Sequence, residues 1–266
     1  MAEVLLWFVL FFFQKEGGVM KIIGIIPARY ESSRLPCKPL ADICGKPMIW
    51  WVYQQAIKAN ALSAVYVATD DERIVNACNS LSMPVLLTSK DHDTPTSRLY
   101  EVSTQLEADF YLLIMGDEPL VNANCFDLII PKEKTINYCV RALTTELHSP
   151  TEVIDYSNQK VVTNQWGETL LISRSPIPYP KGLLGFVYRK VTGVQIFSKT
   201  ALQFYNTTSK SILEKAEEND LMRFVENRIP VIMIRSPYKT ISVDTPKDLE
   251  LVRKEIEKRI NNNEYQ

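Results

Sequence analysis

The sequence predicts an α/β chain of the Rossmann-like, doubly wound kind, with a mostly parallel sheet and helices on both faces. Three observations carry this. Short apolar runs at residues 21–27, 63–69, 84–88 and 110–116 suit strands buried on both faces. The stretches between them, at 47–60, 70–81 and 95–108, carry apolar residues at helical spacing behind start signals at Pro47, Asp70 and Thr94–Thr96. Charged residues gather where the strands exit, and in such sheets ligands lie beyond the carboxyl ends of the strands.

The first strand, "KIIGIIP", runs into "ARYESSRLPCKPL", a loop that holds Arg29, Arg34 and Lys38 within ten residues. Pro27, Pro36 and Pro39 each fix φ, so the loop is shaped rather than slack. It lacks both GxxxxGK[ST] and GxGxxG, so any phosphate must be gripped by guanidinium forks, an ammonium and backbone N–H groups. Three solvated charges on an exposed loop are the plainer alternative. The second strand ends at Asp70 and Asp71. The fourth, "FYLLIMG", leads to Asp117 and Glu118, which should emerge at a sheet edge or cleft. "SVDTPKDLE" repeats that geometry, placing Asp244 just before a helix opened by Pro246. Either aspartate could be a helix cap. Together with a cationic loop, two acids at two strand ends suit Mg²⁺, which takes one or two carboxylates plus phosphate oxygens and water.

The second half is less regular. Strands are expected at 137–147, within 160–179, at 191–197 and at 230–236, some of them antiparallel, and helices at 199–206, 214–228 and 246–260. No repeat or long linker interrupts the chain, so a single domain over 20–266 is expected, with a smaller inserted lobe over roughly 140–215.

Composition narrows the function. In 266 residues, 30 Lys and Arg face 31 Asp and Glu, so no global field draws nucleic acid or an anionic membrane, and an anion must be held locally. The five cysteines have no CxxC or zinc spacing, which points to a reduced, cytoplasmic protein. The apolar run at 4–13, "VLLWFVLFFF", is too short to span a bilayer and no Lys or Arg precedes it, so no stable membrane insertion is expected. Residues 1–19 read as an extension outside the fold, with two alternatives: a translation start at Met20, or a short anchor or partner-binding segment. His92 and His148 are the only histidines and lie far apart in sequence.

"IPARYESSRLPCKPL", "GKPMI", "VATDDERI", "MGDEPL", "SRSPIPYP" and "SVDTPKDLE", in this order, resemble the CMP-sugar-acid synthetases, most closely the 3-deoxy-manno-octulosonate (Kdo) cytidylyltransferases. The resemblance runs from about Met20 to the end. It implies a nucleotidyltransferase that joins CMP from CTP to the anomeric hydroxyl of a 2-keto sugar acid, releasing pyrophosphate with Mg²⁺, in surface polysaccharide or lipopolysaccharide synthesis. By position it implies that Arg29, Arg34 and Lys38 hold the triphosphate, with Pro27, Ala28, Asp70, Asp71, Thr96 and Arg98 around the nucleotide. Asp117 and Asp244 are the implied metal ligands, and Arg29, Lys38 and Asp117 the implied catalytic set. Met115, Arg174, Gln195, Asp220 and Arg223 are expected on the acceptor side. A homodimer is implied too, with the Trp50–Trp51 region and residues 175–190 as candidate faces.

The chain departs from the family pattern mainly on the acceptor side. Ser97 stands for an acid, Met115 for a Gln, Val191 for a His, Gln195 for a Tyr, and "DLMR" for Glu-Gln-Leu-Arg, while Cys37 replaces a loop Gly. Nucleotidyl transfer is therefore better supported than Kdo itself. Another acidic acceptor, such as a nonulosonic acid or a phosphonate, and a non-catalytic nucleotide-binding relative remain the alternatives.

Overall fold

A computed structural model of the chain describes residues 20–31, 35–134 and 136–262. The expectations for residues 1–19 and for Arg34 lie outside the described residues.

Along the chain, β1 (Ile22–Ala28) leads through a short 3-10 turn at Lys38–Leu40 to the small hairpin β2 (Asp42–Ile43) and β3 (Lys46–Pro47). Then follow α1 (Met48–Ala56), β4 (Ala64–Thr69), α2 (Glu72–Ser80), β5 (Val85–Leu87), α3 (Pro95–Gln105), β6 (Phe110–Ile114), α4 (Asn124–Ile129) and β7 (Val140–Glu146). The excursion between β7 and the next long strand holds α5 (Pro150–Ile154) and the hairpin β8 (Lys160–Thr163) and β9 (Thr169–Ser173). The chain returns as β10 (Arg189–Ser198) and closes with α6 (Lys199–Thr207), α7 (Ile212–Glu217), α8 (Leu221–Glu226), β11 (Ile232–Arg235) and α9 (Pro246–Asn261).

The main sheet has the order β11-β7-β10-β6-β1-β4-β5. β1 pairs parallel with β4 and β6, and β4 with β5, as the apolar runs predict. β10 is the antiparallel exception, inserted between β6 and β7. β6 is buried at all five positions because helices cover both faces. One core, with Ile22, Val67, Leu112 and Phe126, fills one side of the sheet, and another, with Ile25, Leu99, Leu113 and Phe197, fills the other. Of the expected helix start signals Thr94 is a cap, accepting the backbone N–H of Ser97, whereas α2 is capped by Asp71 rather than Asp70, through the N–H of Arg73.

One expected element is corrected. The single helix at 214–228 is two short helices, α7 and α8, because Glu218 takes a left-handed conformation at φ 47°. The Asn219 side chain accepts the N–H of Leu221 at 3.0 Å and starts the second helix.

Candidate active site

The carboxyl ends of β1 and β6 meet at a cleft of about 420 Å³ lined by Pro27, Ala28, Arg29, Glu31, Lys38, Pro39, Pro95, Arg98, Met115, Gly116 and Asp117. The two strand exits lie so close that a Cβ on Gly116 would stand 2.9 Å from the carbonyl oxygen of Pro27. Glycine is therefore required where the chain turns from β6 toward Asp117.

Lys38 sits at the centre. Its Nζ donates to Asp117 Oδ2 at 2.6 Å, to the Val243 carbonyl at 2.9 Å and to Asp244 Oδ1 at 3.2 Å, using all three of its hydrogens. Burial works against the Lys38 charge, but Asp117 and Asp244 outweigh it and hold the ammonium above its ordinary pKa. The chain thus brings together two acids 127 residues apart in sequence on one cation. The backbone supports this: the Val243 N–H donates to the Asp117 carbonyl at 2.9 Å. Cys37, just before Lys38, has φ 57°, the left-handed region that favours glycine. This is the position at which the related motif carries Gly.

Glu118 corrects the expectation that both acids of "GDEP" emerge at an edge. It is 2% exposed. Its Oε1 accepts the Gly193 N–H at 2.8 Å and the Ser242 hydroxyl at 3.2 Å. Burial, then the nearby Asp117 charge, push its carboxyl up from the ordinary range. The Gly193 carbonyl in turn accepts the Met115 N–H at 2.8 Å. Glu118 therefore ties the β6 exit to β10 and to the segment carrying Asp244. The only sequence signal for this is an acid placed directly after a wholly apolar strand.

Among the residues expected around the nucleotide, Arg98 of α3 lines the cleft, pairs with Asp70 at 3.2 Å and donates to Thr88. Burial lowers its pKa, against the pull of Asp70. Thr96 is fully buried and hydrogen-bonds Asp220. Asp71 has a local role, since its carboxylate caps α2 and grips Arg73 at 2.6 and 2.8 Å, which holds it at a pKa of about 2. Asp70 and Asp71 line a shallow neighbouring depression with Thr88 and Lys90. Loop residue His92 pairs with Glu101 of α3, which also accepts the Ser89 N–H at 2.9 Å, so this depression is fastened to the helix that bears Arg98.

The acceptor-side expectations divide. Met115 lines the cleft. Asp220 lines an adjoining cavity of about 440 Å³ that shares Pro95 with the cleft, and burial pushes its carboxyl up. Gln195 stands in β10 opposite Leu113 and Ala142, with its Oε1 buried. Arg174 is not in the cleft lining; its guanidinium donates to the carbonyls of Glu217 at 3.0 Å and Tyr156 at 3.1 Å.

Arg223 does not reach a ligand surface. It is 5% exposed, makes a two-point pair with Glu214 at 2.5 and 2.7 Å, donates to the carbonyls of Tyr205 and Thr208, and stacks 3.7 Å over the Tyr205 ring. The Tyr205 hydroxyl lies 3.1 Å from the α3 cap, Thr94. Arg223 thus braces the helix that carries Pro95 and Arg98. Glu214→Ala leaves its buried guanidinium without its acid, so urea unfolding should show a loss of about 3–5 kcal/mol. A loss under about 1 kcal/mol, the range of an exposed pair, would show that the pair braces nothing.

Comparison with known proteins agrees with the motif order. The family model described as Cytidylyltransferase matches residues 23–260. The chain is 36% identical over 233 residues to the 3-deoxy-manno-octulosonate cytidylyltransferase of Escherichia coli, covering 88% of this chain and 95% of that one. It is also 36% identical over 251 residues to the enzyme of that name from Geotalea uraniireducens, covering 90% and 100%. Among solved structures, CMP:2-keto-3-deoxy-manno-octonic acid synthetase complexed with CTP superposes with a TM-score of 0.84 at 36% identity, over 90% of this chain and 99% of that one. The inositol-1-phosphate CTP transferase of T. maritima, at 16% identity and a TM-score of 0.66 over 89% and 95%, shares the fold. The chain belongs to the cytidylyltransferase family and is a nucleotidyltransferase.

Proposed function

We propose that this chain transfers CMP from CTP to the anomeric hydroxyl of Kdo or a closely similar 2-keto sugar acid, with Mg²⁺, in the cytoplasm and for surface polysaccharide synthesis. One observation carries the reading: the Lys38 ammonium is held between Asp117 and Asp244 in a cleft that Arg29 and Arg98 also line. A cation already bridges the two carboxylates, and a pair of carboxylates with phosphate oxygens and water completes a Mg²⁺ shell. When bound, Mg²⁺ neutralises the α-phosphate and lowers the pKa of the attacking hydroxyl.

The chain's own residues position the reactants. Arg29, Lys38 and Arg98 neutralise the triphosphate, Lys38 moving from the acids to phosphate oxygens when these arrive. Pro27, Ala28 and Gly116 shape the floor, and Asp70 and Asp71 border the nucleotide. The acceptor enters from the side of Met115, Gln195 and Asp220. Its hydroxyl oxygen bonds to the α-phosphorus as the hydroxyl proton passes to solvent water, the bond from that phosphorus to the bridging oxygen breaks, and pyrophosphate leaves. Holding these groups in line is most of the catalysis.

Purified protein begun at Met20 should release pyrophosphate from CTP and Mg²⁺ when Kdo is added. Release with a nonulosonic acid or a phosphonate but not with Kdo would keep the transfer and change the acceptor. Met115 favours testing that second reading, because an apolar side chain there offers no hydrogen bond to a sugar hydroxyl. No release with any acidic acceptor would refute the reading.

The assembly we propose is a homodimer formed through residues 147–188, the excursion between β7 and β10. Tyr179 is 86% exposed and Leu184 96%, next to exposed Leu183 and Val187. Trp51 serves the core instead, at 3% exposure and with its indole N–H on the Ile43 carbonyl. Leu184→Glu should shift sedimentation from dimer to monomer; an unchanged coefficient would place the interface elsewhere. Among the described residues, no helix is long and apolar enough to cross a membrane.

A further inference from the structure

Away from the cleft, β7 carries a pair of arginines on its two flanks. Arg189 of β10 stands opposite Glu146, and Arg235 of β11 opposite Thr144. Residues at paired register positions project to the same face, and Thr144 and Glu146 are two apart on one strand, so both guanidiniums rise over Thr144. They line two adjoining cavities of about 480 and 500 Å³, which meet at Thr144, Arg189 and Arg235 and share no lining residue with the active-site cleft.

The charges there are poorly matched. Lys239 joins the two arginines in the lining, where Glu146 is the one acid, and Glu152, whose carboxyl Lys239 helps to lower, stands outside it. The contact of Glu146 with Arg189 is long, 3.8 Å, and the Glu146 carboxylate is 46% exposed. The Arg189 Nε is buried with no hydrogen-bond partner. Burial, and then the like charge of Arg235, lower the Arg189 pKa against the pull of Glu146. A buried guanidinium N–H without an acceptor is costly, and native structures rarely leave one. In a chain with a net charge of -1, two adjacent arginines and a lysine are not the product of a basic surface. Trp166, 75% exposed, also lines the first cavity and belongs to the stretch proposed above as the dimer face.

We propose that Arg189, Arg235 and Lys239 form a second anion site, which takes a small phosphate-bearing ligand over Thr144 and is separate from the CTP cleft. Phosphate oxygens accept from two guanidinium forks and an ammonium at once. An anion there supplies the acceptor the Arg189 Nε lacks and relieves the repulsion between the arginines.

The test titrates the full chain with inorganic phosphate at constant ionic strength, without CTP or Mg²⁺. Trp166 is the reporter, its signal taken as the fluorescence of the wild type minus that of Trp166→Phe. A saturable change is expected. Arg189→Gln and Arg235→Gln should each weaken it about tenfold or more, the usual worth of a charged hydrogen bond. Arg29→Gln, in the cleft, should leave it intact. Arg235 is exposed, so its variant keeps the test valid even where Arg189→Gln fails to fold. No saturable change, or equal curves in the wild type and Arg235→Gln, would overturn the proposal. So would a change of sedimentation coefficient in Arg235→Gln without phosphate, since the arginines would then be meeting an acid of a second copy.

Discussion

Asp117→Asn should lower kcat for pyrophosphate release by about three orders of magnitude while leaving the fold and CTP binding nearly intact. Asp117 acts through two groups that separate cleanly. Its backbone carbonyl accepts the Val243 N–H at 2.9 Å and stitches the loop after β6 to the segment before α9. Its side chain contributes only to the charge cluster, holding Lys38 at 2.6 Å. Asparagine keeps the first and nearly the volume of the second, but removes the negative charge. Loss of one preorganised electrostatic group at a reacting centre costs about 10²–10³ in rate, and here the same change also removes half of the carboxylate pair proposed to hold Mg²⁺. The urea midpoint should move little, because Asp117 is only partly buried, at 18% side-chain exposure. The companion variant Asp244→Asn should behave alike. Near-normal kcat in both, at saturating Mg²⁺, would remove the two acids from the metal site and leave Lys38 as the principal charge in the cleft.

Much of this site was legible in the sequence, for a definite reason. Strands covered on both faces must be apolar throughout, so β1, β4 and β6 stand out as runs. A charged residue just past such a run has few places to go but the carboxyl edge. That logic places Arg29, Asp70 and Asp117, and the Pro-opened helix at 246 places Asp244. It fails where tertiary contacts overrule local pattern. Asn219 and the left-handed Glu218 break the helix expected at 214–228 with neither Gly nor Pro to announce it. Arg223 looks like a free cation in "DLMR", yet its partner Glu214 lies nine residues back and across a turn. Sequence spacing could not reveal that the two charges cancel in the interior. Glu118 was misplaced for the same reason: the groups that make its burial tolerable, the Gly193 N–H and the Ser242 hydroxyl, are 75 and 124 residues away.

Those distant partners make Gly193 the most sensitive position outside the charge cluster. A Cβ built there would lie 2.6 Å from Met115 Cβ, 2.8 Å from Met115 Cγ and 2.9 Å from Glu118 Cδ. The first of these is bonded to the backbone and cannot swing aside, so Gly193→Ala must push β10 away from the exit of β6. Overpacking of this kind costs about 1–3 kcal/mol of stability, which a domain of this size would survive. The catalytic cost should be larger. Separating β10 from β6 stretches both the Met115 N–H bond to Gly193 and the Gly193 N–H bond to Glu118, each 2.8 Å. Glu118 also holds Ser242, two residues before Asp244, so the displacement passes to both metal-ligand candidates. A misplacement near 1 Å can cost about 100-fold in rate. The expected result is a fall in kcat of about that size, measured well below the unfolding temperature, with a folded far-UV spectrum. Met115→Ala added to Gly193→Ala removes the Cγ clash but not the Cβ one, so recovery should be partial. Full activity in Gly193→Ala would mean that β10 can shift without moving Asp117 or Asp244, and that Glu118 does not couple them.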